Sequence, residues 1–170
     1  EGLCGIESAN LGPSEILCIA DSTTSPDLAA SSMIAQSEHD VQSMSIMLTK
    51  DKDLINLVQL SIKKQIKDLP RKKIANKSLK DNGILIYVKN DKDIFSIVNH
   101  IAPEHIEVLI KNYKKYLKNN IIAGSVCIGP YSSMGLSDFG PTQHSLPTHG
   151  SAKFSSGLGV KDFIIQTSYN

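Results

Sequence analysis

Three polar clusters carry the residue types that could do chemistry: Gln36 with His39, Glu104 beside His105, and Asp138 followed by His144. Imidazole, carboxylate and amide oxygen can all hold a divalent ion, and a neighbouring Glu–His pair can move protons. Three of the five histidines fall in these clusters, so the pattern points to metal-assisted chemistry run on proton transfer. Gln36 and His39 are three apart and share one face at a helix end, where they suit either a shared cation or an ordinary surface cap. Pro103 ends a helix and is expected to hold Ala102 extended. Glu104 and His105 then stand side by side, as a base and a water activator or as a plain exposed turn. Asp138 lies in a polar loop with His144 and suits either a metal or a turn cap. Ser14 precedes the first apolar run and could bond a ligand or cap a turn. His149 precedes Gly150 in a turn and is given no role. No G-x-G-x-x-G follows an apolar run, so no dinucleotide fingerprint is visible.

These clusters sit at the ends of apolar runs, where an α/β protein exposes ligand-binding loops. Residues 15–20 (EILCIA) are nearly all apolar and end at Asp21, the mark of a buried parallel strand. Ser25 can cap a helix and Pro26 suits its first turn. That helix is expected to run through Met33 and Ile34 to about His39, with a strand at 45–49. Residues 51–69 place Leu54, Val58, Ile62 and Ile66 four apart on one helical face before Pro70. A second, lysine-rich helical stretch reaches Asn82. Strands follow at 84–88, 106–110 and 123–128, with helices at 91–101 and 112–118. This alternation predicts an α/β fold of parallel sheets with flanking helices in three αβα layers. From 129 to 150 the texture turns to Gly, Pro, Ser and His, and a loop of that length is usually functional.

The chain has 170 residues, 41% of them hydrophobic, enough for one substantial core or pieces of two domains. The net charge of +1 gives no global basicity that would point to nucleic acid. The first 49 residues carry seven acids and no Lys or Arg, a segment that would welcome a cation. No stretch is long and apolar enough to span a bilayer. Cys4, Cys18 and Cys127 are odd in number and lack metal spacing, which fits a reducing, cytoplasmic compartment better than a disulfide framework.

Read together, four stretches resemble histidinol dehydrogenase, the last enzyme of histidine biosynthesis. They are GPSEILCIADSTTSPDLAASSMIAQSEH, APEH, AGSVCIGPYSSMGLSDFG and HSLPTHGSAKFSSGLGVKDF, in the family's order and approximate spacing. The resemblance implies incomplete Rossmann-like sheets, with residues 1–95 forming half of one domain and 96–170 half of another. It implies a zinc-dependent, NAD-linked, four-electron oxidation of L-histidinol to L-histidine by a homodimer. Carried onto this chain, it makes Gln36, His39 and Asp138 zinc ligands that also touch substrate. His105 takes the alcohol proton, Glu104 activates the water, and Ser14 and His144 contact substrate.

The same resemblance places the NAD contacts upstream of Glu1, and a helical tail with further ligands downstream of Asn170. Asp138 and His144 are one position closer than is usual in the family. The expectation is a truncated member whose turnover is impaired. Two other readings of the residues stay open: a non-catalytic metal-binding or structural domain, or one part of a split enzyme completed by a second polypeptide. No nucleic acid or membrane partner is expected.

Overall fold

Every residue of EILCIA is buried in strand β1 (Glu15–Ala20), because this strand takes the middle of the sheet. A computed structural model describes residues 12–139 and 145–169, without the side chains of residues 137 and 138. Its sheet has five parallel strands in the order β3-β2-β1-β4-β5. The others are β2 (Met44–Thr49), β3 (Gly83–Tyr87), β4 (His105–Val108) and β5 (Ser125–Ile128). Parallel strands need crossovers, supplied here by α1 (Pro26–Ser37), α2 (Lys52–Gln65), α3 (Lys72–Asn82) and α4 (Asp91–Ile101).

Strand alternation sends Leu17, Ile19, Ile46, Leu48, Ile106 and Val108 to one face, where they meet Ile94 and Val98 of α4. It sends Ile16, Cys18, Ala20 and Met47 to the other, against Ala29, Ala30 and Met33 of α1 and Leu54 and Val58 of α2. The result is the expected three-layer αβα arrangement. Strands from both stretches 1–95 and 96–170 lie in this one sheet. The β1–β4 pairing, with Ile16 opposite His105, carries it across the division expected at residue 95.

Two local expectations change. Ser25 does stand at the α1 N-cap with Pro26 in the first turn, but its side chain bonds nothing there. Ala102 is not extended. It closes α4 in the left-handed conformation at φ 50°, its N–H donating to Val98 O at 2.7 Å. That is a common helix terminator, held here by full burial despite the usual cost for a residue with Cβ. Cys18 is a buried core residue and Cys127 is half-buried on edge strand β5, both free thiols; Cys4 lies outside the described residues. Among the described residues, no helix is long and apolar enough to cross a membrane.

Candidate functional site

The candidate residues gather at the amino ends of the strands. Helix α1 runs antiparallel to β1, so its last turn returns Gln36 and His39 to the end where β1 begins. That turn is fixed by buried hydroxyls: Ser37 and Ser45 both donate to Met33 O, at 2.6 and 2.9 Å, and lie 3.0 Å apart. Ser14 immediately precedes β1. The left-handed Ala102 and Pro103 bring Glu104 and His105 to the start of β4, beside it. Gly124 makes this junction possible: a Cβ there would lie 2.7 Å from Glu104 O. Instead the chain closes in, with Gly124 N donating to Pro103 O and Ser125 N to Glu104 O.

Ser14, Ala35, His39, Glu104, His105, Met134 and Gly135 line one cavity of about 340 Å³. His39 is exposed at its rim, whereas Glu104 and His105 are buried. Glu104 Oε1 and His105 Nε2 are 3.5 Å apart, and Glu104 Oε2 accepts the Glu15 N–H at 3.2 Å. Burial pushes the Glu104 carboxyl up, but neighbouring His105, the Glu15 amide and the Ser14 hydroxyl outweigh it and carry the group below its usual 4.5. Glu104 is therefore a buried carboxylate that stays ionised.

Gln36 is completely buried, yet neither its Oε1 nor its Nε2 has a hydrogen-bond partner among the described residues. His105 Nδ1 is likewise buried and unpartnered. Burying such groups without partners is costly, so these atoms are free to serve a bound species. The Gln36 amide oxygen one turn before His39 suits a cation. Asp138 ends the short 3-10 turn Met134–Asp138, but its side chain and all of His144 lie outside the described residues. Among the described residues no three His, Cys, Asp or Glu side chains converge as a metal cluster.

The histidinol dehydrogenase family model matches residues 1–170. The chain belongs to the histidinol dehydrogenase family. It is 44% identical over 169 residues to the histidinol dehydrogenase of Pelagibacter ubique, covering 99% of this chain and 40% of that protein. Against the Listeria monocytogenes enzyme of that name the identity is 43% over 160 residues, covering 93% and 37%. A crystal structure of histidinol dehydrogenase from Elizabethkingia anophelis superimposes with a TM-score of 0.85 at 34% identity, covering 89% of this chain and 35% of that one. The chain thus spans about 40% of the length of the curated relatives it matches.

Two buried acids in this family member escaped the sequence reading. Glu15 begins β1 and accepts the His149 N–H at 3.2 Å. Burial raises its pKa, only partly offset by the amides of Glu104 and His149. Thus His149, read as a plain turn residue, also ties its turn to the start of β1. It stands at φ 53° and packs so tightly that a Cβ on Gly12 would fall 2.7 Å from its own Cβ. Glu107, the third residue of β4, is 2% exposed. An acid inside an otherwise apolar strand run was the available signal for both.

Proposed function

We propose that this chain supplies the zinc-holding and proton-transferring part of a histidinol dehydrogenase site, acting on L-histidinol. The observation that carries the proposal is the buried Glu104–His105 pair, sharing one cavity with Ser14 and His39. In the overall reaction the alcohol carbon gives up two hydrides, water supplies the second oxygen, and three protons are released. His105 would take the alcohol proton at its unpartnered Nδ1, with Nε2–H turned to the ionised Glu104. Glu104, held ionised, can draw a proton from the water that attacks the aldehyde carbon. The Ser14 hydroxyl, which lines the same cavity as Glu104, would meet the substrate's polar end. Gln36, His39 and Asp138 would hold zinc, which would supply an orienting charge for the imidazole and amine, with NAD as the family's hydride acceptor. His144 is assigned to the substrate carboxylate or carbonyl side, and a homodimer is the proposed assembly.

Calorimetric titration of the purified chain with L-histidinol in the presence of Zn²⁺ tests this reading. Saturable binding is expected, weakened about tenfold or more (roughly 1.4 kcal/mol) by Gln36→Ala and by His39→Ala. Absence of binding, or binding indifferent to both substitutions, would overturn the proposal.

A further inference from the structure

Glu107 is a buried acid that the reading above leaves without a task. Its register neighbours across the sheet are Cys18 and Cys127, so it stands between two thiols on the face that also carries His105, two residues earlier. Both thiols are pushed up, first by burial and then by the Glu107 charge. A leucine would fill such a position without the cost of burying a carboxylate. The carboxylate makes one distinctive contact: its Oε1 accepts the backbone N–H of Met134 at 2.6 Å, a short, charge-assisted bond. Its Oε2 has no partner among the described residues.

Met134 and Gly135 form the wall of the cavity that faces Glu104 and His105. Met134 also opens the 3-10 turn that ends on Asp138, and its side chain packs against the α1 face of the core. Residues 129–133, which lead into that turn, belong to no strand or helix. The Glu107 bond is thus a tie between this returning segment and the rigid sheet.

We propose that Glu107 is a positioning residue: its carboxylate seats Met134 and so holds the 134–138 turn as one wall of the Glu104–His105 cavity. The proposal rests on the functional reading above only for the identity of the ligand. An acceptor is what the seat requires, so glutamine can substitute while an apolar side chain of similar size cannot. Such seating is how a site built partly on a loop keeps its geometry.

The test compares Glu107→Gln with Glu107→Leu in the full chain, using two readouts. Amide hydrogen exchange at Met134, without ligand, is expected to quicken about tenfold or more in the Leu variant and less than about threefold in the Gln variant. L-Histidinol affinity with Zn²⁺ is expected to follow the same order, with the urea midpoint of the Leu variant unchanged or raised. Unchanged Met134 exchange in the Leu variant, or equal quickening in both variants, would overturn the seat. If the wild-type chain fails to bind L-histidinol, the functional reading falls while the exchange comparison still decides this one. Should the Leu variant fail to fold, quickening of about tenfold or more at Met134 in the Gln variant alone would overturn the proposal, and protection there would support it.

Discussion

The two ends of this sheet are finished in opposite ways. At the carboxyl end the loops satisfy one another. The Thr24 hydroxyl accepts the Asp21 N–H and donates to Leu109 O, Thr23 Oγ1 accepts the Lys111 N–H, and the Asp21 carboxylate takes the Thr23 N–H and hydroxyl. Asp51 caps α2 through the Asp53 and Leu54 amides, and Asn90 caps α4 through Asp93. At the amino end the Gln36 amide and His105 Nδ1 are buried without partners among the described residues, and Glu15 and Glu104 are two buried acids, the Glu104 carboxylate accepting the Glu15 backbone N–H. Ligands of open α/β sheets generally bind outside the carboxyl ends, where the strand order reverses. Here that position lies between β1 and β4, and the Thr24–Leu109 and Thr23–Lys111 bonds stitch it shut. Unsatisfied polar groups are what a protein retains for function at a cost in stability. By that criterion the proposed function belongs to the amino end.

The sharpest test of the contrast exchanges one residue at each end. Thr24→Val, at the carboxyl end, is expected to cost about 1–3 kcal/mol, because it strands the buried Leu109 carbonyl and the Asp21 amide. L-Histidinol binding should be unchanged. His105→Leu is expected to weaken binding roughly tenfold or more, about 1.4 kcal/mol, with the fold retained by circular dichroism. Loss of binding in Thr24→Val, with an intact fold by circular dichroism, would erase the distinction.

A subtler difference should appear in pH dependence. Glu104 lies below its usual 4.5 in the folded chain, so the stability it contributes is present at neutral pH and lost as pH falls through that depressed value. Glu15 lies above 4.5, so its contribution is present only below that value and is lost as pH rises through the raised folded pKa. Urea midpoints across the acid range should therefore show Glu104→Gln destabilising at neutral pH and Glu15→Gln stabilising there. Both effects should vanish well below 4.5. Matching profiles for the two variants would mean that these acids do not share opposite environments.

The smallest effect belongs to the carboxyl-end surface. Asp91 bridges Lys50 and Lys115 at 2.6 and 2.8 Å, but all three side chains are about a third exposed. Asp91→Asn is expected to change stability by less than about 1 kcal/mol, and less again in high salt. A larger loss in a thermal unfolding series would show that this end is held by charge rather than by its hydroxyl network.

Much of this was legible in the chain itself. Periodicity located all five strands, and α4 runs over the 91–101 expected of it, because its stripe of Ile94 and Val98 and its Pro103 stop are local signals. The Pro103-Glu104-His105 tripeptide likewise set Glu104 and His105 side by side at a helix stop, and the structure has them buried 3.5 Å apart. Strand order was not legible. Nothing local says that β4 pairs with β1, so residues 1–95 and 96–170 read as separate units and the end of the sheet bearing the site could not be chosen. Glu15 and Glu107 were passed over because an acid in an apolar run reads as strand punctuation until its burial is known. Ala102 misled because the proline rule favours extended backbone, whereas the closing turn of α4 imposed the left-handed one.

The most direct test of the working-end assignment is a residue-resolved one. Amide chemical shifts of the isotope-labelled chain are recorded while L-histidinol is titrated in with Zn²⁺. Shifts are expected at Ser14, Ala35, His39, Glu104, His105, Met134 and Gly135, with Thr23, Thr24, Asp51 and Lys111 unmoved. Shifts centred on that second group, or none at the first, would contradict the account.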